Sequence, residues 1–255
     1  MGRHKRRRMA AAVVLWILIW QAAAMLVHNR ILFVGPAEVC LTLSRLVRTA
    51  EFWQSVMHSS VRIAGGFLLA FAAGLLLGAG AYRFSWLREF LEPAVLTLQS
   101  VPVASFVILA LIWIGSKNLA VLICFLVVFP VIYRNTLQGM RAADVQLLEM
   151  AQVFRMSRLG KLRYLYGPAV LPYLKSASHV AMGMAWKSGV AAEVIGVPDL
   201  SIGEKLYMAK IYLSTAELFA WTLVVIVVSR LFEQAFLWLL ARADVTRGKG
   251  GNDAD

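Results

Sequence analysis

Long apolar runs alternate with short polar stretches along this chain. The first run extends from Met9 to Val27 and follows the basic segment MGRHKRRR. An α-helix needs about 20 apolar residues to cross the hydrocarbon core of a bilayer. Five more apolar runs follow, and together the pattern predicts an all-α, polytopic membrane protein with six transmembrane helices. The predicted spans are 9–28, 61–82, 93–115, 119–133, 176–197 and 216–240.

The first span also has features of a cleavable signal peptide, because the residues at 22–24 are all alanine and offer small side chains for cleavage. However, the run contains Trp16 and Trp20 and is long for the apolar part of a signal peptide. We therefore interpret it as a retained span, with cleavage as the alternative.

The predicted spans also define the other segments of the chain. We expect a basic N-terminus at 1–8 and a connection at 29–60 with an interfacial helix, in which Val39, Leu43 and Leu46 have helical spacing. Residues 61–240 form a predicted core of five spans. The polar, glycine-rich tail at 241–255 is expected to be disordered.

Three spans contain residues that need a structural explanation. The second is rich in glycine, which lets another helix approach closely: Gly65, Gly66, Gly74, Gly78 and Gly80. In the third, Pro102 is expected to kink the helix. The fifth carries Trp186, Lys187 and Glu193, and charges inside a membrane usually face a water-filled path or a partner. Lys187 and Glu193 lie six residues apart, so they should not pair within one helix.

A basic segment at 141–172 separates two of the most apolar runs. In its first half, Leu147, Leu148, Ala151 and Phe154 share one face of a predicted amphipathic helix. A second short helix should follow and end at Gly167 and Pro168, because proline lacks an amide donor. Helices this short are marginal alone in water, so their apolar stripe should rest on a partner protein.

Composition and charge support the membrane interpretation. The chain has 255 residues, is 60% hydrophobic and has a mean hydropathy of +0.70. Its net charge of +12 does not form one basic stripe with stacking aromatics, which argues against a nucleic-acid partner. Seventeen lysines and arginines fall in the segments that lie on one side if the N-terminus is inside, against six on the other. This bias predicts cytoplasmic N- and C-termini and a cytoplasmic 141–172 segment.

The 141–172 segment resembles the coupling loop of permease subunits of binding-protein-dependent ABC importers. The family pattern is Glu-Ala-Ala, a glycine soon after, and Leu-Pro about a dozen residues later. Glu149, Ala151 and Pro168 match it, whereas Met150, Arg155 and Gly167 depart from it. Since arginine suits a left-handed turn less well than glycine, the position of the turn between the two helices stays open.

Other stretches resemble the nitrate, taurine and aliphatic-sulfonate branch of these importers: SSVRIAGGFLLAFAAGLLLGAG, SVPVASFVILALIWIG, and the AW...AE pattern of Ala185, Trp186, Ala192 and Glu193. The resemblance covers most of the chain from Gly35 to Phe236. It implies a type I importer permease in the bacterial inner membrane. The implied partners are a second copy of the chain, two ABC ATPase subunits and an extracytoplasmic substrate-binding protein.

The resemblance also implies site residues and a range of solutes. The predicted ATPase-coupling residues are Leu147, Leu148, Glu149, Ala151, Phe154, Arg155 and Pro168. The candidates for the translocation pathway or the dimer interface are Pro102, Trp186, Lys187 and Glu193. Family members import small organic or inorganic solutes, such as sulfonates, taurine, nitrate and some vitamin-like compounds. No residue selects among these solutes.

The sequence argues against two other classes of function. It has no glycine-rich phosphate loop followed by Lys-Ser or Lys-Thr, so the chain should not hydrolyse ATP itself. An intramembrane enzyme would need His28, His58, His179 or Glu193, but no metal or paired acidic motif surrounds them. No cofactor or metal is expected, and Cys40 and Cys124 suggest no disulfide. A passive channel or membrane scaffold is the alternative, although it has no need of a docking loop.

Overall fold

The computed structural model describes residues 3–27, 29 and 32–248, and all regular elements in this part are helical. The all-α prediction is therefore confirmed. The helices are α1 (Arg3–Val27), α2 (Pro36–Leu46), α3 (Ala50–Arg83), α4 (Ser85–Ser100), α5 (Val103–Ile114), α6 (Leu119–Arg141), α7 (Val145–Val153), α8 (Arg158–Lys161), a π segment (Leu162–Tyr166), α9 (Gly167–Gly196), α10 (Ile202–Ile211) and α11 (Thr215–Gly248).

Several helices are long and apolar enough to cross a membrane. Among the described residues, three satisfy this criterion alone: Ala50–Arg83, Leu119–Arg141 and Thr215–Arg242. A fourth span results if α4 and α5 count as one. The described apolar part of α1, Ala11–Val27, is shorter, and α9 carries charged residues along its 30-residue length. The chain is thus a multi-pass membrane protein, and the number six stays a prediction.

The third span is broken rather than kinked, so the prediction of one bent helix is wrong. α4 ends at Ser100 and α5 begins at Val103, with an angle of 106° between them. Val101 is extended at φ −79° and ψ 133°, as expected for a residue that precedes proline. Pro102 then becomes the residue before α5, where its missing N–H leaves no helical hydrogen bond unmade.

The ends of two other helices also differ from the prediction. α3 begins at Ala50, so residues 50–60 belong to this helix rather than to a separate connection. α11 continues to Gly248, so the prediction of disorder is wrong for residues 241–248. Residues 249–255 lie outside the described part of the chain.

The chain divides into two compact units. The first comprises residues 1–59 and 197–226. In it, Val34, Val39 and Ala220 form a small core, and the Trp20 indole donates a hydrogen bond to the Val34 carbonyl at 3.0 Å. Phe52 stacks on Trp221 with ring centroids 5.0 Å apart. Through these contacts, α2 and the segment before it pack against α1 and α11, and the start of α3 packs against α11.

The second unit comprises residues 60–196 and 227–255, and α6 forms much of its core. α9 packs along α6, and α5 packs against both near Val107, Leu119 and Ala192. α3 approaches α6 through three of the five glycines singled out above: Gly66, Gly74 and Gly78. A Cβ at Gly65 would contact nothing within 4 Å, so that glycine serves no close approach.

Candidate functional site

The first helix of the 141–172 segment is α7, and its start is fixed by a side-chain cap. The Asp144 carboxylate accepts a hydrogen bond from the Gln146 backbone N–H at 2.8 Å. This bond satisfies one of the N–H groups that lack a partner in the first helical turn. The cap defines the start of a helix of only nine residues, which is too short to persist alone in water.

α7 ends in a left-handed turn at Arg155, whose φ is +50°. The Arg155 N–H bonds to the Gln152 carbonyl at 3.0 Å, and the Met156 N–H bonds to the Ala151 carbonyl at 2.9 Å. These two bonds make a Schellman motif, in which the left-handed position is usually glycine. Arginine therefore adopts the conformation for which glycine is better suited, and the turn between the two helices lies at Arg155.

The second helix does not end at Gly167 and Pro168, so that prediction is wrong. α8 begins after Ser157, whose hydroxyl accepts a hydrogen bond from the Gly160 N–H at 3.1 Å. The chain then passes through the π segment directly into α9. In the π segment the Gly167 N–H bonds to the Leu162 carbonyl, five residues back. This wider turn accommodates the Pro168 ring, which would clash with the i−4 carbonyl of a regular α-helix.

The predicted apolar stripe of α7 is divided between the interior and the surface. Ala151 is buried and Leu148 is half-buried, so both face their own chain. Leu147 and Phe154 are exposed, and Phe154 has 76% of its surface accessible. Nine large apolar side chains of the segment are exposed: Val145, Leu147, Met150, Val153, Phe154, Met156, Leu159, Leu162 and Tyr164. We call this group the apolar loop surface.

A groove of about 260 Å³ lies beside the apolar loop surface. It separates α7 from the π segment and the start of α9, and it is lined by Ala142, Asp144, Leu147, Tyr164, Leu165, Pro168 and Ala169. The predicted coupling residues Leu147 and Pro168 thus lie at one groove. Glu149 and Arg155 are exposed nearby in sequence but do not line it.

The charge of the segment is positive. Glu149 is the single acidic residue between positions 145 and 172, against four basic ones: Arg155, Arg158, Lys161 and Arg163. The π segment is anchored by Tyr166, whose ring meets that of Tyr82 at 5.6 Å. Burial and the contact with Tyr82 raise the pKa of Tyr166 to about 12, so this tyrosine stays neutral at physiological pH. The apolar loop surface is thus bordered by basic residues.

The four candidate pathway residues are not brought together. Trp186 and Glu193 are buried in the second unit, with Glu193 fully inaccessible. Lys187 is exposed, and Pro102 is exposed at the break between α4 and α5. The expectation that Lys187 and Glu193 do not pair is consistent with these opposite environments.

Sequence reasoning missed the partner of Glu193. Its Oε1 lies 3.8 Å from Nη1 of Arg62 on α3, and the Arg62 side chain is 16% exposed. A signal for this pair was present, since Arg62 is the single cation between positions 52 and 82 and Glu193 is the single acid in α9. A carboxylate and a guanidinium inside two apolar helices are expected to pair.

The histidines have local structural partners. His58 Nδ1 lies 2.8 Å from the carbonyl of Gln54 in the same helix. His179 pairs with Glu233, which also bonds to Arg230 at 3.0 Å. His28 lies outside the described residues. Within residues 3–27, 29 and 32–248, no three His, Cys, Asp or Glu side chains are grouped so that they could hold a metal ion.

Comparison with known proteins identifies the family. The family described as "Binding-protein-dependent transport system inner membrane component" matches residues 67–243. These residues include most of the second unit and the whole of the 141–172 loop. The match therefore covers well over half of the chain.

Curated relatives agree with this match. The Bacillus subtilis protein named as the aliphatic sulfonates transport permease SsuC is 29% identical over 228 residues, which cover 89% of this chain and 82% of the relative. The riboflavin transport system permease RibX of Chloroflexus aurantiacus is 26% identical, with 87% and 86% covered. The taurine transport system permease TauC of Escherichia coli is 23% identical, with 91% and 86% covered. This chain therefore belongs to the family of binding-protein-dependent transport system inner membrane components, and it is an ABC transporter permease of the nitrate, taurine and sulfonate importer type.

Proposed function

We propose that the chain is the subunit of an ABC importer that forms the solute pathway and couples it to ATP hydrolysis by a separate ATPase. The family membership supports the importer role, and the apolar loop surface supports the coupling role. Two copies of the chain, two ATPase subunits and an extracytoplasmic binding protein complete the proposed assembly. We expect no catalytic group in the chain itself, because its sequence has no glycine-rich phosphate loop.

The observation that carries the proposal is the exposure of the apolar loop surface. Val153, Phe154 and Leu159 each have more than three quarters of their surface accessible, although they are large and apolar. Apolar surface grouped in this way and bordered by charge usually marks a site of protein association. A short amphipathic helix that lies in a groove of a partner is a common mode of such association.

The backbone offers a path for movement from the loop into the membrane part. α8, the π segment and α9 form one continuous helical run from Arg158 to Gly196. A displacement of the loop by the ATPase would therefore be passed along α9, which packs on α6. The π segment, Pro168 and Pro172 lie together at the start of this run, where missing or shifted backbone hydrogen bonds make bending easier.

The distribution of charge supports the proposed orientation. With both termini in the cytoplasm and six spans, seventeen lysines and arginines face the cytoplasm and six face outward. This orientation places the loop at 141–172 on the side of the membrane where ATP is present. The proposed location is the bacterial inner membrane.

For the pathway, we propose that Lys187 and the break at Pro102 face the space shared with the second copy. Lys187 is exposed and takes part in none of the ion pairs found among the described residues. An unpaired ammonium group is costly in lipid, so water or a solute should surround it. Trp186 and Glu193 are buried, so they would lie beneath this surface. The proposed solute is a small anionic or organic compound such as a sulfonate, taurine or nitrate.

The test compares two aromatic residues of equal exposure. Phe154 is 76% exposed in the loop, and Tyr212 is 77% exposed after α10. Phe154→Ser should lower the amount of ATPase subunit that co-purifies with the permease at least about tenfold, since a buried aromatic anchor often contributes 2 kcal/mol or more to binding. Tyr212→Ser should leave it unchanged.

Both variants should insert into the membrane and melt at the temperature of the unmodified chain, because neither side chain is buried. Equal ATPase recovery with Phe154→Ser and the unmodified chain would contradict the coupling role of the loop. A passive channel or scaffold would bind no ATPase even before the substitution.

A further inference from the structure

The strongest feature outside the proposed coupling surface is the ion pair between Arg62 on α3 and Glu193 on α9. Glu193 is fully inaccessible, and the Arg62 side chain is 16% exposed. The nearest nitrogen and oxygen atoms are 3.8 Å apart, which is beyond hydrogen-bonding distance. The buried Arg62 Nη1 makes no hydrogen bond within the described part of the chain. The pair is therefore held by charge attraction with no direct hydrogen bond between these two atoms.

Such a pair is a poor source of stability. Removing two charges from water costs several kcal/mol for each ion, and only good geometry with further hydrogen bonds offsets that cost. The separation of 3.8 Å and the unbonded Nη1 do not meet this requirement. Apolar side chains of similar volume would stabilise the fold equally well or better. The pair is better explained by a role in positioning the two helices.

The pair lies beside a point where three helices approach closely. A Cβ at Gly189 of α9 would come within 2.8 Å of Ile63 on α3 and 2.7 Å of Cys124 on α6. A Cβ at Gly66 of α3 would come within 2.8 Å of Cys124. Contacts this tight restrict the helices to discrete arrangements rather than a continuous range, because packed interiors do not deform continuously.

Glu193 is also connected to the coupling loop through α9. It lies 26 positions after Gly167, which corresponds to about 39 Å of helix at 1.5 Å per residue. Any tilt that begins near the π segment is therefore largest near Glu193. The ion pair fixes this far end of α9 to α3.

We propose that Arg62 and Glu193 are a positioning pair that holds α9 against α3 in the conformation described here and separates when the ATPase moves the loop. The proposal rests on the function proposed above. It assigns Glu193 a role in the transport cycle without contact with the solute, and it adds Arg62 to the functional residues.

The test uses two double substitutions in the assembled complex of permease, ATPase and binding protein. Arg62→Leu with Glu193→Leu removes the pair and leaves no buried charge. Arg62→Glu with Glu193→Arg exchanges the charges and keeps the attraction. The half-buried pair Arg134 and Glu92, 3.4 Å apart, provides the control when both are replaced by Leu.

The readout is the distance between spin labels on Leu69→Cys in α3 and Val180→Cys in α9, both at exposed positions. Cys40→Ser removes the exposed natural thiol, whereas Cys124 is buried. Labelled chains are diluted with unlabelled ones so that distances within one chain are measured. The probe is ATP with vanadate, compared with no nucleotide.

In the complex with the unmodified ion pair, addition of ATP with vanadate should shift the distance between the two spin labels from one value to another. The double leucine variant should keep the melting temperature of the unmodified chain. Without nucleotide, however, the fraction of molecules with the label distance typical of the ATP–vanadate state should be at least fivefold larger than in the unmodified complex. The charge exchange and the control pair should behave as the unmodified chain. A double leucine variant with the unmodified distances would overturn the positioning role, as would a charge exchange that resembles the double leucine variant. If the unmodified complex shows no nucleotide response, the proposed coupling function fails instead.

Discussion

The glycines of α3 allow a prediction in which one residue is the control for its neighbour. A Cβ on Gly66 would lie 2.5 Å from the Val121 carbonyl oxygen of α6, about 0.9 Å inside the 3.4 Å at which ordinary contact begins. The carbonyl belongs to the backbone, so the two helices must move apart. A Cβ on Gly65 would contact nothing within 4 Å. We therefore compare Gly66→Ala with Gly65→Ala.

The expected difference follows from two opposing effects. Alanine favours a helix by about 1 kcal/mol over glycine, and this gain applies to both variants. Overpacking of a tight interface costs about 1–3 kcal/mol, and this cost applies to Gly66→Ala alone. The helix gain cancels in the comparison, which leaves Gly66→Ala about 1–3 kcal/mol less stable than Gly65→Ala. At 2–4 °C per kcal/mol, the melting temperatures should differ by about 2–12 °C.

The assay is thermal unfolding of the purified protein in one detergent, followed by intrinsic tryptophan fluorescence. Gly65→Ala should melt at or above the temperature of the unmodified chain, and Gly66→Ala below it. Equal melting temperatures for the two alanine variants would refute the close approach of α3 to α6 at this position.

Three further substitutions test the loop and the pathway. Arg155→Gly should stabilise the turn by about 1 kcal/mol, measured as a higher melting temperature, because glycine adopts a positive φ without strain; an unchanged or lower melting temperature would contradict the left-handed conformation at this position. Asp144→Ala should weaken ATPase binding about fivefold in a titration, since loss of the cap costs about 1 kcal/mol, whereas Asp144→Asn should not. Lys187→Met should change the rate of solute uptake at constant ATPase binding; unchanged uptake would remove Lys187 from the pathway.

The helix-turn-helix form of the loop could be predicted from the sequence because it depends on local features. The spacing of apolar residues and the capping residues act within one or two turns of helix. The conformation of Arg155 could not be predicted, since arginine has no intrinsic preference for a positive φ. The two bonds from Arg155 and Met156 back to α7 hold it there.

The prolines show where local rules fail in opposite directions. Pro168 was expected to end a helix, but the π segment before it accommodates the ring and the helix continues. Pro102 was expected to bend a helix, yet the chain breaks with a turn of 106°. The rule that proline disturbs a helix is the same in both cases. Whether the neighbouring turn widens or opens depends on the surrounding helices.

The pairing of Arg62 with Glu193 depends on tertiary structure, so a helical wheel drawn for α9 alone gave no partner. The wheel did correctly separate Lys187 from Glu193, because that relation is local to one helix. The burial of Trp186 also depends on another helix, because its ring contacts that of Phe232 on α11.

The proposed function depends on binding of the loop at 141–172 to an ATPase subunit in the cytoplasm. The most direct test places a photoreactive phenylalanine analogue at Phe154 in intact cells that produce the whole transporter, followed by irradiation and identification of the attached protein. We expect a covalent product between the Phe154 probe and the ATPase subunit, and no such product from the same analogue at Tyr212. Attachment of the Phe154 probe to the extracytoplasmic binding protein would contradict the orientation and the function together.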